Sequence, residues 1–200
     1  MTKTSKKFVS LSIWISIIVF VLRCLIGWKD LGTIIEEKKI LDCGYSLFGY
    51  AGEAIGIATV FMFCFNKWWW KCKLLNILTG SMPILAKRYK GKIKFTWDNR
   101  DQERDSEIII EQSFLRVTVK LVTNESYSNS VTAAIYDING SKMLIYTYLN
   151  TPNGEIQNRS AMHYGTAMLI IDNTKHLSGN YFTGRKTCGS MDFKAVLNEP

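Results

Sequence analysis

Histidine and proline are scarce in this 200-residue chain, which holds two of the first and three of the second. No G-x-S-x-G, H-E-x-x-H or P-loop pattern occurs, and His163 and His176 lack the spacing of metal ligands. These absences argue against a nucleophilic hydrolase, a zincin or a P-loop nucleotidase. No resident cofactor or metal is implied, and the chain is expected not to be an enzyme. The five cysteines (Cys24, Cys43, Cys64, Cys72, Cys188) form no C-x-x-C pair. No disulfide framework or zinc site is therefore indicated, in keeping with a reducing compartment for the C-terminal part.

What the chain does have is two long apolar runs near its start. Phe8–Gly27 and Gly44–Phe65 are each long enough, at about 1.5 Å per helical residue, to cross a hydrocarbon core of roughly 30 Å. The first exceeds a signal-peptide h-region and no A-x-A-like site follows it. Residues 1–73 are read as a transmembrane hairpin with spans 8–27 and 44–65, residues 74–86 as a linker, and residues 87–200 as one ligand-sensing β-domain. The net charge of +8 is uneven: residues 1–86 carry ten Lys/Arg against five acidic residues, and the remainder fifteen against twelve. The excess flanks the spans, so it is explained by membrane lipids and topology and not by a nucleic-acid polymer. Lys3, Lys6 and Lys7 precede the first span and Lys67, Lys71 and Lys73 follow the second, while the loop Trp28–Cys43 balances three Lys with four acidic residues. The positive-inside rule then sets both termini, and the β-domain, in the cytosol. Trp68, Trp69 and Trp70 stand where an aromatic belt belongs.

Gly49, Gly52, Gly56 and Thr59 place small residues on one face of the second span, with Gly52 and Gly56 as a small-xxx-small pair. That face suits either oligomerisation or packing against the first span. Glu53 borders it near mid-bilayer depth, and an intramembrane carboxylate calls for a partner or a wet cavity. A ring of Glu53 in an assembly could line a polar defect. Arg23 lies near the end of the first span, where it can snorkel to headgroups.

From Arg88 the period changes to two. Arg88, Lys90, Lys92 and Lys94 alternate with Tyr89, Gly91, Ile93, Phe95 and Trp97. Further strand-like runs are 107–111, 115–121, 131–138, 143–149, 164–172, 177–183 and 187–197, with turn chemistry at 139–141 and 172–174. The pattern predicts an all-β meander closed into a compact eight-stranded up-and-down, lipocalin-like barrel, with a break near Gln112–Ser113. Its interior is expected to be filled by Tyr, Phe, Trp and Leu. The odd-numbered strands end at one rim, whose loops are expected at about 98–106, 122–130, 150–162 and 184–187. These loops carry Arg100, Arg104, Arg159, Arg185 and Lys186. Leu177, Gly179, Tyr181, Thr183 and Arg185 form one inward column running toward that rim, with Trp97, His163 and Tyr164 beside it. Guanidinium groups fork onto phosphate oxygens while aromatic faces stack bases, so the constellation suits a phosphorylated ligand with flat bases. The expected contacts are Trp97, Arg159, His163, Tyr181, Thr183 and Arg185.

The run Leu177-Ser-Gly179-Asn-Tyr181-Phe-Thr183-Gly-Arg185-Lys-Thr187-Cys-Gly189, together with two N-terminal spans and a basic linker, resembles the two-transmembrane β-barrel effectors of CBASS, the bacterial anti-phage system built around CD-NTases. The architectural likeness spans nearly the whole chain. It implies a multi-pass inner-membrane protein whose barrel binds a cyclic dinucleotide made by a partner nucleotidyltransferase. It further implies that binding drives homo-oligomerisation, membrane disruption and cell death. Two other readings remain at this point. A small lipid-binding barrel would need an open apolar interior, and a membrane-surface scaffold would use the basic strand Arg88–Lys94 on anionic headgroups.

Overall fold

The computed structural model describes residues 3–37, 39–97, 100–158 and 160–196. They form two units, Met1–Met82 and Pro83–Pro200.

The first unit is helical. α1 (Lys3–Ile26) and α3 (Ile40–Lys67) are the two apolar runs, and both are long and apolar enough to cross a bilayer. They run antiparallel: Phe8 meets Phe65 at one end, while Arg23 meets Glu53 and Gly27 meets Tyr50 toward the other. The contact stripe of α3 is Tyr50, Ala54, Ala58, Met62 and Phe65, a spacing of four, four, four and three that keeps one face turned to α1. The connection, expected to be a loop, contains α2 (Trp28–Glu36), whose Leu31 is buried. A short helix, α4 (Lys73–Thr79), follows α3 and ends on Gly80 in the left-handed region, where glycine meets no Cβ penalty.

Glu53 does not await a partner from another chain. Arg23 Nε donates to its Oε2 at 2.7 Å, and the same guanidinium lies 4.1 Å from the Tyr50 ring centre. The arginine read as a snorkelling residue thus supplies the partner that an intramembrane carboxylate calls for. The small face also lies apart from the α1 contact: a Cβ built at Gly49, Gly52 or Gly56 meets nothing within 4 Å. Packing between the two helices therefore leaves Gly52 and Gly56 uncovered, and the ladder of outward Ile, Val, Leu and Trp side chains on α1 is equally exposed.

The second unit is a closed antiparallel barrel in chain order: β1 (Arg88–Trp97), β2 (Arg100–Gln112), β3 (Val117–Thr123), β4 (Ser126–Ile138), β5 (Ser141–Pro152), β6 (His163–Asn173), β7 (His176–Thr183) and β8 (Cys188–Ala195). β8 pairs with β1 over Tyr89–Phe95 and removes the sheet edges. Gly91 sits in that seam because a Cβ would strike the Asp192 carbonyl of the neighbouring strand. Asn139 and Gly140 both have positive φ, which gives the tight β4–β5 hairpin its twist-compatible turn. The break at Gln112–Ser113 is present, closed by the Ser113 N–H donating to the Arg116 carbonyl.

The interior is closely filled at one end only. Tyr89, Ile108, Ile110, Val119, Leu144, Leu169, Leu177 and Phe193 pack the end at which the chain enters. The Tyr89 hydroxyl accepts from Ala86 N and donates to the Thr174 carbonyl, which satisfies a buried phenol there. Gln112 ties the incoming segment to the same end, accepting from Leu85 N and donating to the Pro83 carbonyl. At the opposite end the barrel opens into a cavity, which corrects the expectation of a fully packed core.

Candidate ligand-binding cavity

Inward positions of the strands change character along the barrel axis. On β7 the column runs Leu177, Gly179, Tyr181, Thr183 and ends at Arg185. On β5 it runs Leu144, Tyr146, Tyr148, Asn150. The apolar ends close the core, and the polar ends wall a cavity of about 430 Å³ at the rim where odd-numbered strands finish. Ile93 and Met191 lie among its lining residues. Gln102, Arg104, Thr123, Glu125, Ser128, His163 and Thr187 join the wall.

Two tyrosines owe their positions to glycine. Tyr148 is the register partner of Gly165 and Tyr181 that of Gly189, and a Cβ at either glycine would overlap the facing ring. The missing side chains let the rings lie against the sheet and leave the centre open. Burial raises the Tyr146 and Tyr148 hydroxyls well above the ordinary phenol range. Tyr181 is pushed up to about 12, chiefly by burial and also by nearby Cys188, while the positive charge of Arg104 opposes the rise. All three are neutral donors at physiological pH.

Two described arginines line the cavity. Arg185 sits in the β7–β8 turn, which is built by Thr183: Lys186 N donates to the Thr183 carbonyl, Arg185 N donates to Thr183 Oγ1, and the Thr183 and Thr187 hydroxyls are 2.6 Å apart. Lys186 takes the left-handed conformation that ends this turn, with φ of 62°. The Arg185 guanidinium Nη1 then donates to Ser160 Oγ at 2.9 Å and to the Ala161 carbonyl at 3.4 Å, joining the turn to the residues just before β6. Arg104 projects from β2, stacks over Phe95 at 5.4 Å and pairs with Glu125 at 2.8 Å.

Of the residues read from the sequence, His163, Tyr181, Thr183 and Arg185 come together in this wall. Trp97 ends β1 opposite Arg100; its side chain, and Arg159 altogether, lie outside the described residues. Tyr164 faces outward. Arg104 is expected among the rim arginines but not among the contacts, and Glu125, Ser128 and Asn150 carry no site signal in the sequence; the stretches 98–106 and 122–130, which hold Arg104, Glu125 and Ser128, read there as long loops. Both belong largely to strands, β2 from Arg100 and β4 from Ser126, joined to their neighbours by short connections. Their inward positions are polar where they face the cavity, so the apolar alternation that marks a strand fades there. Among the described residues no group of His, Cys, Asp and Glu could hold a metal ion.

Comparison with known proteins agrees with this architecture. Residues 81–195 match the family described as Cap15, cyclic dinucleotide receptor domain. The chain is 26% identical over 190 residues to CD-NTase-associated protein 15 of Staphylococcus schleiferi, with 92% of each chain covered. It is 36% identical over 96 residues to CD-NTase-associated protein 15 of Yersinia aleksiciae, with 46% of each covered. The resemblance to barrel effectors of CBASS is thereby borne out. A closed eight-stranded barrel with a rim cavity, preceded by two helices fit to cross a membrane, belongs to the Cap15 cyclic dinucleotide receptor family.

Proposed function

We propose that this protein is a membrane-anchored sensor-effector whose barrel binds a cyclic dinucleotide made by a partner nucleotidyltransferase in the infected cell, and whose N-terminal hairpin then breaches the inner membrane. The observation that carries the reading is the rim cavity of a receptor-family barrel, where two arginines stand beside buried tyrosines. Arg185 and Arg104 take the phosphates, and the tyrosine faces flank the bases. His163, Tyr181, Thr183 and Arg185 are the proposed contacts, with Trp97 and Arg159 assigned by their place in the sequence. Residues 1–73 act as the transmembrane hairpin, 74–86 as the linker and 87–200 as the sensor, with the N-terminus and barrel in the cytosol. Homo-oligomerisation through the uncovered Gly52 and Gly56 face, with Glu53 at its border, clusters the hairpins and kills the cell. A ligand that favours the assembled form shifts the equilibrium by its differential affinity alone. The protein acts as a sensor and carries out no reaction.

The two other readings draw less support. The cavity wall mixes Arg, Glu, Asn, Ser and Thr with its tyrosines, which suits a polar ligand better than a lipid tail. The basic strand is partly neutralised, because Arg88 pairs with Glu107, and Lys92 and Lys94 share Glu103.

Titration of the full chain in lipid nanodiscs with cyclic dinucleotides, with linear dinucleotides as controls, tests the proposal. Tight binding of a cyclic species, lost on Arg185→Ala and kept on Lys90→Ala, is expected. A folded barrel that binds none of them overturns it.

A further inference from the structure

The cavity contains a polar row that phosphate binding leaves unused. Ser128 on β4, Asn150 on β5 and His163 on β6 are successive register partners, so their inward side chains lie side by side. All three line the cavity, and Ser128 and Asn150 are only 4% and 9% exposed. The Ser128 hydroxyl donates to Asn150 Oδ1 at 2.9 Å. This sets the orientation of the amide and leaves its Nδ2 protons without a protein acceptor among the described residues. His163 Nδ1 lies 2.9 Å from the Ala161 carbonyl, a group that can only accept. The proton is therefore on Nδ1, and Nε2 of the neutral ring remains an acceptor. One row offers a donor next to an acceptor.

Asn150 Nδ2 is not sealed in the wall but opens on the cavity, where a bound molecule can accept from it, and replacing both members of the Ser128–Asn150 bond by apolar side chains costs little stability. The pair is therefore understandable as a ligand site. A phosphate can accept from Asn150 but gives His163 Nε2 no proton. A nucleobase edge supplies both complements, an acceptor next to an N–H donor. Tyr148, two residues before Asn150 on the same face of β5, adds an aromatic wall beside that edge. We propose that Ser128, Asn150 and His163 form a base-reading row that determines which nucleobase the cavity accepts. The proposal rests on the cyclic dinucleotide reading given above and deepens it.

The test uses the full chain in lipid nanodiscs and measures affinities for cyclic di-AMP, cyclic di-GMP and cyclic di-UMP alongside thermal unfolding. The Ser128→Ala/Asn150→Leu double variant is expected to unfold no earlier than the parent. Its ratio of affinities between the best and worst ligand should collapse by tenfold or more. Arg185→Ala should lower all three affinities by a common factor and leave the ratio unchanged. Should the double variant not fold, Ser128→Ala alone decides, with the ratio expected to fall at least threefold once the amide is free to turn. An unchanged ratio, or a common loss for all three ligands, would overturn base reading while leaving the receptor intact. A parent protein that binds none of the three would remove both.

Discussion

Arg104 and Arg185 occupy the same rim but are held by different chemistry. Arg185 donates to neutral oxygens of Ser160 and Ala161, which the proposed ligand phosphate would displace with little electrostatic cost. Arg104 is paired with the Glu125 carboxylate, a group that would repel the proposed phosphate. At partly exposed positions, solvent screening reduces such a repulsion to roughly 1–2 kcal/mol. Glu125→Gln is therefore expected to tighten cyclic dinucleotide binding about tenfold, and a loss of affinity would mean that Glu125 touches the ligand directly. The buried tyrosines carry a pH signature. Tyr181 has a folded-state value of about 12 against an ordinary 10, so the folded barrel holds a proton that the unfolded chain releases. That stability is fully present below pH 10 and is lost as pH rises toward 12. Thermal midpoints should be level up to about pH 9 and fall above 10, and Tyr181→Phe should lessen the fall. A midpoint flat to pH 12 would contradict it. Tyr181, Thr183 and Arg185 were legible because they share one period-two column with apolar Leu177. Ser128, Asn150 and Glu125 were not, since a lone Ser, Asn or Glu has the same appearance on a solvated loop as on a cavity wall.

At the scale of the strand, the decisive local feature is the pairing of a large ring with an absent side chain. Tyr148 crosses to Gly165 and Tyr181 to Gly189, and each ring occupies the volume a Cβ would need. Gly165→Ala must displace the Tyr148 ring and press on the Phe182 carbonyl. The variant should lose about 1–3 kcal/mol of stability, the usual cost of overpacking, and weaken ligand binding as the ring swings into the cavity. Chemical denaturation with an unchanged midpoint would show that the ring has room to move. The eight strands, their order and the Gln112–Ser113 break were legible because apolar alternation and turn residues such as Asn139-Gly140 survive in every core-facing stretch. The starts of β2 and β4 were not, for they face the cavity with Gln102, Arg104, Ser126 and Ser128. Likewise α2 was hidden, since a short helix with Asp30 and Glu36 has the polarity of a loop.

Taken whole, the molecule joins a sensor barrel to helices whose outward surface is unsuited to water. The apolar runs were readable at once from length and composition, whereas the Arg23–Glu53 pair was not, because thirty residues separate its members. That pair lets an isolated hairpin keep both charges compensated, so the resting protein needs no second copy to hold Glu53. The uncovered Gly52 and Gly56 face leaves room for the close helix approach that the proposed assembly would need. On the proposed function, sensing and damage are separable: the barrel would bind, and the hairpin would act only in an assembly. The most direct test is dye release from liposomes that carry the reconstituted full chain, measured on adding the cyclic dinucleotide that it binds. The expected result is release that depends on ligand, is absent with Arg185→Ala, and is lost in Gly52→Leu/Gly56→Leu while ligand binding is retained. Release of equal extent without ligand, or none at saturating ligand, would contradict a sensor that opens the membrane on binding.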